Sequence, residues 1–253
     1  MQPLLSHPAF FFVVCFVLMS LGGCGSIFVL RRKKKLESDV LEDFGVVQAA
    51  TLTLLALLIG FSFSMAVSRY DQRKNYEEEE ANAIGTEYLR ADLAQEENAG
   101  EIRLLLKSYL AQRVAFYQAH GKAQLDRIDA HTGVLENRLW QAVLVEAKNN
   151  PTPVVALLVS GMNDVINTQG YTQAAWWNRI PVSAWVLLMV IALFSSMLVG
   201  YGARSNSAKS AYLLILPLMV SLSLALIADI DSPRGGLIRV VPQNLISLQH
   251  SLG

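Results

Sequence analysis

The stretch VVQAATLTLLALLIGFSFSMAV, residues 46–67, holds no ionisable side chain and runs straight into SRYDQRKNYEEEE, residues 68–80. An uncharged run of this length matches a hydrocarbon core of roughly 30 Å crossed as an α-helix. Lipid offers no partner for backbone N–H and C=O groups, so a helix is the state open to such a run. No breaker intervenes before Gly85, so the helix is predicted to leave the membrane and continue into the charged segment.

Three further blocks resemble it, at residues 9–30, 180–201 and 211–228. They account for a chain of 253 residues that is 53% hydrophobic and only 17% charged, where a soluble domain carries about 25% charge. The first block contains Leu21-Gly22-Gly23-Cys24, which also suits a cleaved lipoprotein leader. Apolar sequence continues past it, however, and the basic cluster follows the block, so a spanning helix is the expectation. Cys15 and Cys24 share this block and lie roughly 13 Å apart along a helix, too far to bridge. The chain is therefore expected to be all-α: a membrane protein with four transmembrane helices and a soluble helical bundle between the second and third. Transmembrane helices 1 and 2 fall in residues 9–68, the soluble domain in 69–179, helices 3 and 4 in 180–228, and a tail in 229–253.

Orientation follows from the short loops. Arg31, Arg32, Lys33, Lys34 and Lys35 crowd loop 31–45, and Arg204 and Lys209 sit in loop 202–210. Basic short loops stay cytoplasmic. A multi-pass protein of the cell inner membrane is expected, with domain 69–179 on the opposite side.

In that domain Ile102, Leu105, Leu106, Tyr109, Leu110, Val114, Phe116 and Tyr117 mark one helix face, closed by Gly121 as a C-cap. Leu125, Ile128, Thr132, Leu135, Leu139 and Ala142 form a second seam. The segment 149–153 with Pro151 and Pro153 is a break, followed by a short helix over 154–167 and a return segment in which Trp176 and Trp177 suit an interfacial anchor. The run Glu77, Glu78, Glu79, Glu80 reads first as a solvated or intersubunit face, with a cation site or an acidic ring at a channel mouth as the alternative.

No nucleophile motif, phosphate loop or dinucleotide fingerprint is present, and His7, His120, His131 and His250 are scattered. No enzyme, cofactor or metal is expected. Zero net charge gives no general pull on nucleic acid. The apolar blocks lack the intramembrane charges that pumps and transporters use. Small and hydroxyl residues collect in the second block, among them Ala49, Thr51, Thr53, Ala56, Gly60, Ser62 and Ser64. They suit close helix packing, and on another face they suit a narrow aqueous path.

The segments 60–73 and 80–93, then 162–166 (MNDVI) and 229–238 (DIDSPRGGLI), together resemble the bacterial bestrophin-like membrane family of unknown function. More distantly the chain is similar to the bestrophins, pentameric anion channels with four membrane helices per subunit, the second of which lines the pore and carries an apolar neck. The distance from Gly60-Phe61 to Arg69-Tyr70 matches a pattern in some of them. That resemblance implies a homo-oligomeric channel for an inorganic anion such as chloride, surrounded by membrane lipid, with self-association into pentamers. It implies pore-lining roles for Thr53, Leu57, Gly60, Phe61 and Ser64, and a mouth at Arg69, Arg73 and Glu80. It also places the region between helices 2 and 3 in the cytoplasm, opposite to the reading from the basic loops. The competing reading is a non-conducting membrane sensor or scaffold whose helical domain binds a partner.

Overall fold

The computed structural model describes residues 7–29, 38–202 and 209–253. The basic residues Arg31 to Lys35 and Arg204, on which the orientation reading rests, lie outside them. The described chain is helical, with no strand among the described residues: α1 (Pro8–Val29), α2 (Ser38–Arg90), a 3₁₀ turn (Ala91–Leu93), α3 (Glu96–Gln118), α4 (Lys122–Asn149), α5 (Pro153–Trp177), α6 (Val182–Gly202), a 3₁₀ segment (Lys209–Leu214), α7 (Ile215–Asp231) and α8 (Gln243–Leu252). Among the described residues, four helical stretches are long and apolar enough to cross a membrane. The protein is an all-α membrane protein. Contacts divide it into two compact units, one of Met1–Tyr70 with Arg179–Arg239, the other of Asp71–Asn178 with Val240–Gly253.

The first unit joins α1, α6, α7 and the apolar part of α2. Phe11, Cys15 and Met19 recur every fourth residue on α1 and meet Trp185, Leu188 and Ala192 of α6 and Val220, Leu224 and Ile227 of α7. Leu55 and Ala66 bring α2 into the same core. The outer faces stay apolar, as with Val13, Leu18, Val186 and Phe194. A helix apolar all round belongs in lipid. Where α1 and α6 cross, small residues let the backbones meet. A Cβ at Gly200 would collide with the Gly23 carbonyl and the Ser26 hydroxyl, and the Ser196 hydroxyl donates to the Met19 carbonyl at 2.7 Å. The glycines of the supposed cleavage box thus have a packing role inside an unbroken helix.

Several local expectations need correction. Helix α2 begins at Ser38, so residues 38–45 are helix rather than loop. Helix α2 passes through Gly85, where the missing side chain admits Leu248 of α8. Gly121 is the N-cap of α4 at φ −125°, not a C-cap of α3. Helix α5 is one helix from Pro153 to Trp177 with no stop near residue 167. Its start is set by the break as expected: the Thr152 hydroxyl accepts from the Val155 N–H at 3.2 Å, with Pro153 in the first turn. Trp176 is no interfacial anchor, because it is buried against Phe116 and Tyr117 at ring distances of 5.1 and 5.4 Å.

The second unit is a bundle of α3, α4, α5, α8 and the polar part of α2. The α3 stripe Ile102, Leu105, Leu106, Tyr109, Leu110, Val114, Phe116 and Tyr117 is buried throughout. From the α4 seam Ile128, Thr132, Leu139 and Ala142 are buried.

Candidate functional site

In the first unit, the stripe on α2 is set by helical spacing. Steps of four join Thr53, Leu57 and Phe61, and Gly60 and Ser64 fall on the same side. All five are exposed in the single chain. Leu57 is 52% and Phe61 62% exposed, while Leu55 and Ala66 on the opposite face are 2% and 0% exposed. Nothing lies within 4 Å of where a Cβ on Gly60 would sit. The Thr53 hydroxyl donates to the Ala49 carbonyl one turn back, at 2.9 Å, so its polarity is satisfied within its own helix. Only 6% of the apolar window of this helix is buried, against 50% for the fourth span. The subunit's own packing thus leaves the second span the least covered.

The three expected mouth residues have different surroundings. Arg69, in the first unit, pairs with Asp231 at 3.5 Å. Arg73, in the second unit, is 1% exposed, and its Nε donates to the Ala175 carbonyl at 3.4 Å. Glu80 is fully buried. It pairs with Arg113, and accepts from the Tyr117 and Thr172 hydroxyls at 3.3 Å each. The Arg113 guanidinium also lies 4.6 Å from the Phe116 ring centre. Burial raises the Tyr109 hydroxyl well above its ordinary range; Arg113 opposes this, while Glu80 and Glu136 add to it. The Tyr109 hydroxyl donates to Glu136 at 3.3 Å.

The glutamate run is therefore split. Glu78 and Glu79 are exposed, whereas Glu77 and Glu80, three residues apart, share the inner face. The Glu77 carboxylate accepts from the Leu245 N–H at 2.9 Å and from the Asn244 amide at 2.7 Å. It thereby caps the start of α8 from another helix. The reading of the run as a solvated or intersubunit face holds for half of it only.

Sequence reasoning passed over two acidic brackets. Asp229 accepts from the Leu237 and Ile238 N–H groups at 2.8 and 2.9 Å, and Gly236 is pressed so close that a Cβ would strike its carboxylate. Asp231 accepts from the Ile180 N–H at 3.1 Å. The signal was the quoted segment 229–238, which carried the resemblance without an assigned task. Beside Asp231 lies a cavity of about 30 Å³ lined by Arg179, Ile180, Trp185 and Ser232.

A family model described as the Bestrophin-like domain matches residues 14–245. Among solved structures, a crystal structure of a membrane protein superposes with a TM-score of 0.68 at 13% identity, covering 95% of this chain and 97% of that one. A bacterial bestrophin homologue from Klebsiella pneumoniae does so with a TM-score of 0.64 at 13% identity, covering 94% and 98%. A substituted form of the Klebsiella pneumoniae homologue gives 0.67 at 13% identity, covering 95% of each chain. No curated protein matches the chain.

Proposed function

The chain belongs to the Bestrophin-like family, and on that premise we propose that it is the subunit of a homo-oligomeric ion channel whose second transmembrane helix lines the pore. The observation that carries this reading is the exposed stripe Thr53, Leu57, Gly60, Phe61 and Ser64, opposite a face packed on the subunit's own core. A scaffold that used this stripe for its own folding would bury it. Small residues such as Ala49, Ala56, Gly60 and Ser64 suit contact with neighbouring helices better than contact with lipid alone. Around an axis, Leu57 and Phe61 form an apolar neck that gates by excluding water, with Thr53 and Ser64 hydroxyls on either side.

Arg69, Arg73 and Glu80 follow the stripe along the helix. Their charges are engaged with Asp231, the α5 backbone and Arg113. Held by these partners, each within its own unit, they do not serve as free ligands for ions. Permeation of an anion such as chloride, and assembly as a pentamer, rest on the resemblance to the bestrophin channels. In the inner membrane, the basic residues Arg31 to Lys35, with Arg204 and Lys209, argue for the cytoplasmic side for the segments that hold them, and for the other side for domain 69–179.

Flux through liposomes containing the purified chain tests the reading. Wild type passes ions, and Phe61→Ala passes them faster by widening the neck. If neither form passes anions or cations, the membrane-scaffold reading takes its place. Single cysteines at Ser38 and Gln118, labelled in intact cells, decide sidedness.

A further inference from the structure

Glu87 lies on α2, about 30 Å of helix beyond the end of the apolar run, and faces Gly161 of α5. Any side chain at Gly161 would collide with the Glu87 carboxylate and the Arg90 guanidinium. Glu87 is fully buried, and neither of its carboxylate oxygens has a hydrogen-bond partner. The seam joins two of the segments that carry the family resemblance, 80–93 and 162–166, which no channel role explains. A carboxylate stripped of water and left without donors is among the costliest groups to bury, and such a group takes up a proton instead.

We propose that Glu87 is a proton-binding site, held as the neutral acid in the seam between α2 and α5 at neutral pH, and that its ionisation loosens this seam in alkaline solution. The charges around it are few. Arg90 on its own helix favours ionisation, and Asp164 on α5 opposes it. On the 3₁₀ turn Asp92 is engaged by Arg103, and Arg103 and Lys107 of α3 lie 5.6 and 6.0 Å from the Tyr88 ring centre. The titratable residue of α8 is His250. Burial outweighs Arg90 and, with Asp164 adding to it, pushes the Glu87 carboxyl from 4.5 up to about 8.

The sign follows. The folded-state value lies above the unfolded one, so between about 4.5 and about 8 the folded chain holds a proton that the unfolded chain releases. Stability from this group is fully present below about pH 4.5, is lost as pH rises, and levels off above about pH 8. At pH 7 the protonated acid is the predominant form.

The test uses the full chain in detergent and does not depend on conduction. Thermal midpoints of wild type and Glu87→Gln are compared from about pH 5 to about pH 9.5. Gln keeps the shape and cannot ionise. The expected result is a wild-type midpoint that drops further than the variant's as pH rises, the gap widening to about pH 8 and then staying constant. An infrared carboxylic-acid C=O band, present at pH 7 and gone near pH 10, is expected in wild type and absent from Glu87→Gln. Asp164→Asn supplies an independent arm should Glu87→Gln fail to fold, because removing that neighbouring charge moves the loss of the band to lower pH. A pH-independent gap between wild type and variant, or a band in wild type unchanged by either substitution, overturns the proposal.

Discussion

Glu80 illustrates how much a single position decides. Its carboxylate and the Arg113 guanidinium are both fully buried and paired, and Tyr117 and Thr172 satisfy the second oxygen. Removing one member of a buried pair strands the other charge, at about 3–5 kcal/mol. Glu80→Ala is therefore expected to destabilise the second unit by that order, measured by chemical unfolding in detergent. Glu80→Met with Arg113→Met is expected to cost less than either single change. Four adjacent glutamates look alike in a sequence. Which of them turn inward depends on helix phase against partners on α3, α5 and α8, and those partners come from distant segments. That is why the run read as a solvated face while Glu77 and Glu80 are structural.

At the scale of elements, α8 is held through its first turn by Glu77, whose carboxylate takes the Leu245 N–H and the Asn244 amide. Glu77→Ala is expected to remove about 1–2 kcal/mol of capping and to expose α8 to amide exchange before α3 opens. Helix existence was legible from charge-free runs and from apolar spacing, as with Leu105, Tyr109 and Val114 on α3. Helix ends were less so. Gly85 and Gly121 look like stops, yet one is a seat for Leu248 and the other begins a helix. Glycine signals a missing side chain, and only the neighbour shows whether conformation or space required it. The crossing of α1 and α6 follows the space reading. Gly200→Leu is expected to destabilise by about 1–3 kcal/mol through overpacking, or to prevent assembly of the first unit, seen as a lower thermal midpoint in detergent.

For the whole molecule, the sequence indicated four spans, the bundle inserted after the second, and the family, through segments long enough to be recognised. The quaternary arrangement was not legible from spacing. One helical stripe looks the same whether it meets lipid, another subunit or an aqueous axis, and only the burial of the opposite face removes the option of internal packing. The central claim is that copies of the chain gather around an axis lined by α2. Single-particle imaging of the purified particle tests this most directly. The account predicts a closed ring with Thr53, Leu57, Phe61 and Ser64 facing a central passage that is narrowest at the two apolar residues. A monomer, or a ring in which this stripe faces the surrounding lipid, contradicts it.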